Sequence, residues 1–283
     1  MVDSYDDLLF QNDKTDALTA DGQCVVDIKH VVDPATGADH WIVSVPSQTE
    51  WAGQDPAAPD ASAAGATGLD GAATGAVSTT GDTAAGSGAA TGGYSGSVID
   101  LSALGPDPDP VATGSPLLPS AGEQQSYQAG VLQAMHDAGV PDGADVLFTG
   151  TGQGGYLAAG LAADTGLPYH CVGLVTAGMP VGEVSVPADV PVVSFESPSD
   201  PFTQVDLDGD GVVGQPTGSS CTQVVLPDTG TGTFDQHDYA DAVAAYLQTD
   251  PTVAQSHPEW FGQIESHEMY TWTTSAQTVT QAV

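Results

Sequence analysis

Apolar and polar positions follow three different rhythms along this chain. Residues 24–51, "CVVDIKHVVDPATGADHWIVSVPSQTEW", carry two runs of β-branched and aromatic residues around a turn at Asp33–Pro34 and Gly37, which predicts a β-hairpin. From 52 to 97 the rhythm stops, and Ala, Gly, Thr, Ser and Asp dominate. Such a stretch cannot bury enough apolar surface to offset its ordering entropy, so a flexible insertion is expected there. "DPDPVATGSPLLPS" (107–120) reads as a second, proline-rich connection. Helical spacing then appears in "AGEQQSYQAGVLQAMHDAGV", which stops at Gly139 ahead of Pro141. "ADVLFTG" predicts a strand and "GYLAAGLAADTG" a small-residue helix closed by Gly166. "HCVGLVTAG" (170–178) and "VPVVSFES" (190–197) are unbroken apolar runs, the mark of parallel strands covered on both faces. "CTQVVLPD" (221–228) predicts one more strand and "HDYADAVAAYLQ" (237–248) one more helix.

Strands alternating with helices predict an α/β fold: a mostly parallel sheet with helices on both faces, preceded by an N-terminal antiparallel β-hairpin. The expected division is an N-terminal segment at 1–23, one domain over 24–250 that carries the 52–97 insertion, and a C-terminal tail at 251–283.

Charge narrows the partners. Asp and Glu number 37 against two basic residues, Lys14 and Lys29, with no arginine, for a net charge of −35. Nucleic acid and anionic membrane surfaces need Lys or Arg to displace their counterions, so neither is an expected partner. Self-repulsion on this scale is relieved by salt, which fits a salt-adapted acidic surface as well as simple solubility. Cys24, Cys171 and Cys221 are widely spaced, with no CxxC pair for zinc and no disulfide framework. Nowhere do 18 apolar residues run together, so no membrane span is expected. The opening "MVDSYDDLLF" lacks the basic flank and apolar core of a signal peptide, which makes a cytoplasmic protein the expectation.

Candidate chemistry centres on "LFTGTGQGGYLAAG" (147–160), a strand, a glycine-rich turn and a helix start. Gly150, Gly152 and Gly155 satisfy G-x-G-x-x-G, the dinucleotide fingerprint. That fold also needs an acid at the end of the next strand, and here the next strand ends "VTAGMP". The competing reading is the nucleophile elbow, G-x-Ser-x-G, in which small residues let a strand reverse sharply into a helix. Gly150 and Gly154 then hold the flanks and Gly152 the nucleophile position. An acid and then a histidine should follow in sequence. Asp200 stands at the exit of a strand in "VPVVSFESPSDPF", and His237 stands in a loop just before the last helix in "TFDQHDYADAVAAY". Each also has a plainer reading: Asp200–Pro201 as a turn former, His237 as a helix start. His30, His40, His136, His170, His257 and His267 show no metal spacing and read as structural or exposed.

Four pieces in order, "VPSQTEW" (45–51), "GTGQGG" (150–155), "SPSDPF" (197–202) and "HDY" (237–239), resemble the lipase-like α/β-hydrolases of actinobacteria. The pattern there runs "PGTQ.W", "GHSQGG", "DPVP" and "HD..Y". The resemblance covers about 24–247 without the insertion. It implies a small acyl- or ester-like ligand, Asp200 as histidine orienter and His237 as general base. It also implies an oxyanion hole from the backbone N–H of Gln153 and of Ser47 or Gln48. The departure is at the centre: Thr151 and Gly152 stand where the family has His and Ser. Without an Oγ no acyl-enzyme forms, and a catalytic unit that loses one member loses about 10⁶ in rate. The oxyanion hole and ligand binding survive such a loss. The chain is therefore expected to be a catalytically impaired esterase-type scaffold. A salt-adapted acidic binding or surface protein is the alternative, and dinucleotide binding the third reading.

No cofactor is required by this chemistry, but "DLDGDGVVG" (206–214) matches the start of a calcium loop. Asp206, Asp208 and Asp210 hold positions one, three and five, Gly211 the sharp sixth, and Val212 the seventh, whose carbonyl is a ligand. Thr217 stands where the bidentate acid belongs, so Ca²⁺ here is a candidate only.

Overall fold

A computed structural model of the protein describes residues 1–18, 23–34, 36–46, 121–183, 185–204, 220–227, 236–273 and 278–281. The order of elements is α1 (Tyr5–Ala17), β1 (Gln23–Val32), β2 (Asp39–Val45), α2 (Ala121–Asp137), β3 (Asp145–Thr151), α3 (Gln153–Ala163), β4 (His170–Ala177), β5 (Val192–Glu196), β6 (Cys221–Val225), α4 (Gln236–Leu247), α5 (Pro251–Ala254), β7 (Gln263–Thr273) and β8 (Thr278–Gln281). The strands form one sheet in the order β6-β5-β4-β3-β2-β1-β7-β8. From β2 to β6 every pair is parallel, while β1–β2, β1–β7 and β7–β8 are antiparallel. The fold is thus the α/β class that the strand and helix pattern predicts, with the β1–β2 hairpin at its N-terminal side.

Alternation along the central strands divides the core in two. Val43, Val45, Val146, Phe148 and Leu174 face one side, where Tyr127, Val131 and Met135 of α2 and Leu157, Ala158 and Leu161 of α3 cover them. Ile42, Leu147, Val175, Val193 and Phe195 face the other side, beneath Tyr5, Leu8 and Leu9 of α1 and Tyr239 and Val243 of α4. β3, β4 and β5 are buried on both faces, with only Thr149, Thr151, Thr176, Ser194 and Glu196 among their buried polar residues. They therefore lack the in-and-out alternation of a half-exposed strand and read as nearly continuous apolar runs.

Two segments set outside the domain by sequence lie in its core or sheet. Residues 1–23 hold α1, which buries Tyr5, Leu8, Leu9, Asn12 and Thr15. The apolar period lasts only two turns before Asn12 and Thr15 replace it, so the helical signal fades. The 251–283 stretch supplies β7 and β8. β7 pairs with β1 from Gln23↔Thr273 to Val32↔Gln263, with a bulge between His30 and Val31. Trp272 lies against Gly130 of α2, where an added Cβ would stand 2.6 Å from the indole. Trp260 likewise fills the space at Gly173 of β4.

The α1 face also holds a charged cluster. Asp27 and Lys29 on β1 are each 2% exposed and ion-paired to one another. His267 on β7, whose side chain is 41% exposed, bonds the second Asp27 oxygen at 2.7 Å. Burial pushes the Asp27 carboxyl up, but the bond to His267 and the Lys29 ammonium outweigh it and hold the group below the usual carboxylate range.

Among the described residues no helix is long and apolar enough to cross a membrane.

Candidate functional site

In open parallel sheets, ligands bind beyond the carboxyl ends of the strands. Here Gly152, Gly178 and the 197–203 turn all lie just past the ends of β3, β4 and β5. Gly152 caps α3 with φ 54° and ψ −123°, a backbone that L side chains rarely adopt. Its N–H donates to the Ala177 carbonyl of β4 at 2.8 Å, and its own carbonyl accepts from Tyr156 N–H at 3.2 Å. The chain therefore goes from strand to helix through a single residue.

Glycine on both sides makes that reversal possible. A Cβ at Gly150 would sit 2.4 Å from the Gly154 carbonyl carbon. One at Gly155 would lie 3.0 Å from the Gly150 oxygen and 3.3 Å from Met179. Strand and helix backbones are in direct contact. Gln153 is the first residue of α3, so its N–H lies in the helical turn whose donors point off the helix end. Thr151 ends β3 with its hydroxyl 3.5 Å from Asn12 Nδ2, on the α1 side.

The acid is built into a compact turn after β5. Asp200 is 8% exposed. Its N–H donates to the Ser197 carbonyl at 3.0 Å, and Thr203 Oγ1 donates to the carbonyls of Ser197 and Asp200 at 3.1 and 2.8 Å. Asp200 Oδ1 accepts from Phe202 N–H at 2.9 Å, and Oδ2 accepts from Tyr239 Oη at 2.8 Å. Burial raises its pKa to about 6, against the pull of those two donors. The turn-former reading of Asp200–Pro201 is seen in these bonds.

A chain of close contacts links Asp200 to the Gly152 turn. Gly152 is bonded to Ala177; the next residue, Gly178, has φ 64° and donates its N–H to the Phe195 carbonyl at 2.9 Å. A Cβ at Gly178 would lie 2.9 Å from Asp200 Oδ2 and 2.7 Å from the Tyr239 ring. Asp200 and Tyr239 therefore close on Gly178, one residue beyond the hydrogen bond that holds Gly152.

His237 is the second residue of α4, inside its first turn rather than in the loop before it. Its side chain lies outside the described structure, as do Ser47, Gln48, Asp206, Asp208, Asp210, Val212 and the 52–97 stretch. The exit of β2 that leads to Ser47 is fixed, since the buried Tyr127 hydroxyl of α2 donates to the Pro46 carbonyl at 2.8 Å.

Three residues around Asp200 and β5 carry no motif of their own in the sequence. Tyr239 is the last letter of "HDY", and its hydroxyl both donates to Asp200 and accepts from Ser197 N–H at 3.2 Å. Gly178 looked like an ordinary strand end. Glu196, four residues before Asp200 and 6% exposed, accepts from Gln223 Nε2 at 2.7 Å and from Ser194 Oγ at 3.3 Å. An acid within the apolar run "VPVVSFES" was the available signal.

Compared with known protein families, curated proteins and solved structures, the chain matches none.

Proposed function

We propose that this chain is an α/β-hydrolase-type scaffold of the esterase and lipase class whose nucleophile position is occupied by glycine. In this reading it binds a small acyl- or ester-like ligand above β3 and β4 without forming an acyl-enzyme. The observation that carries it is the backbone of Gly152. A turn with φ 54° and ψ −123° thrusts residue 152 out of the strand–helix junction, as a nucleophile elbow does. The reading is supported as well by a buried acid, Asp200, lying against Gly178, the residue that follows the Ala177 carbonyl to which Gly152 N–H donates. Asp200 is the histidine orienter in this scheme, His237 the base, and Gln153 N–H one oxyanion donor. The dinucleotide reading fares worse, because β4 ends at Ala177 and Gly178 with no acid for a ribose.

Gly152→Ser tests the proposal. The substitution should cost about 1–3 kcal/mol, because serine must take a positive φ that glycine adopts without strain. In return it should gain fluorophosphonate labelling and p-nitrophenyl ester turnover that the parent lacks. A folded Gly152→Ser protein that neither labels nor turns over ester would remove the hydrolase reading and leave an acidic binding protein.

A further inference from the structure

On the α2–α3 face, behind the turn, a line of polar side chains crosses three strands. Thr176 on β4 pairs in register with Gly150 on β3 and with Ser194 on β5, and Ser194 pairs with Gln223 on β6. Thr176 Oγ1 donates to Ser194 Oγ at 3.1 Å, and Ser194 Oγ donates to Glu196 Oε1 at 3.3 Å. Gln223 Nε2 donates to Glu196 Oε2, and the Val181 N–H also donates to this carboxylate. Thr176 and Ser194 are fully buried. The titratable groups facing Glu196 are Asp200 after β5, Cys221 on β6 and Tyr239 on α4. Burial, opposed by the three donors, holds the Glu196 carboxyl at about 7.

We propose that Glu196 is a proton-operated switch whose ionisation sets the direction of the Ser194–Thr176 hydroxyl pair beneath the Gly150–Gly152 turn. The reason lies in which partners can change role. The Gln223 amide nitrogen and the Val181 N–H only donate, so they bond the carboxyl in one sense whatever its charge. A hydroxyl can donate or accept. With Glu196 ionised, the order is Thr176 to Ser194 to Glu196, as in the structure. When a proton from solvent sits on Oε1, the acid O–H donates to Ser194 Oγ, and Ser194 turns its hydrogen toward Thr176. One O–H bond forms on uptake and breaks on release, and nothing else is exchanged. Thr176 stands in register with Gly150, so the reversal reaches the floor of the turn. The switch goes beyond the hydrolase reading and operates whether or not residue 152 ever carried a nucleophile.

Amide NMR from about pH 5 to about pH 9, spanning the midpoint, tests it on the whole chain. The Thr176, Ser194 and Val181 signals should move together through one near-neutral midpoint. Glu196→Gln should abolish that movement at all three while leaving the separate, lower titration of Asp200. Ser194→Ala should keep it at Val181 and lose it at Thr176. A Thr176 signal that stays still in the wild type, or titrates unchanged in Glu196→Gln, would overturn the switch. If Glu196→Gln does not fold, the wild-type titration and Ser194→Ala decide the matter.

Discussion

Asp27 in β1 and Asp200 in the turn after β5 are almost equally enclosed, at 2% and 8% exposure. Their carboxyls nevertheless move apart. Burial pushes both up, but Asp27 has Lys29 and His267 within bonding distance and ends below the usual range, while Asp200 ends near 6. The described partners of Asp200 and Glu196 are hydroxyls, amides and backbone N–H groups, all neutral. In a chain with two lysines and no arginine, the bond from His267 and the ammonium of Lys29 together hold Asp27 as an anion. The acids beside the turn are left near neutrality, where protons exchange most readily at physiological pH.

The largest test of this contrast removes the cation. Lys29→Met should cost about 3–5 kcal/mol in chemical denaturation, because it strands a buried carboxylate. Adding Asp27→Asn should recover most of that loss, since the stranded charge goes with it. Recovery of nothing by the double variant would show that Lys29 matters for packing rather than for Asp27.

Next in size is Glu196→Gln. A folded-state pKa of about 7, above the ordinary 4.5, means that the native state holds the Glu196 proton more tightly than the unfolded chain. That contribution is complete below about pH 4.5 and is lost as pH rises through 7. The glutamine variant should therefore match the parent at low pH and exceed it by about 3 kcal/mol above neutrality. Equal stability curves across that range would mean that Glu196 is not held in its neutral form.

The smallest effect belongs to Tyr239→Phe. It deletes one donor to Asp200 and one acceptor for Ser197 N–H, at a cost of about 1–2 kcal/mol. The Asp200 midpoint should rise above 6, because the lost hydroxyl favoured the ionised form. Carboxyl ¹³C titration reads that shift, and a midpoint that falls would contradict the assignment of Tyr239 as donor.

The parts of this molecule that were legible in its sequence are those where burial is complete. β3, β4 and β5 are buried on both faces and announce themselves, as do α2 and α3. β7, "QIESHEMYTWT", buries Tyr270 and Trp272 but leaves Gln263, Glu265 and His267 exposed, so its sequence reads as a tail. α1 failed for a related reason: Asn12 points inward, donating to Thr149 Oγ1 at 3.0 Å, and a polar contact leaves no apolar period. At the site, the glycine spacing gave the turn and the strand exit gave Asp200. Tyr239, Gly178 and Glu196 were hidden because their roles come from strand neighbours, β4 lying between β3 and β5, and sequence order does not reveal that neighbourhood.

The place of β7 next to β1 has a consequence for how the protein is made. β1 leaves the ribosome before β7, and its outer edge must wait, with its hydrogen-bonding groups unmatched, until the long stretch between the two strands has been synthesised. During that interval the nascent chain presents an open template for stray pairing with other molecules. Shortening the chain before residue 263 would make that transient hazard permanent.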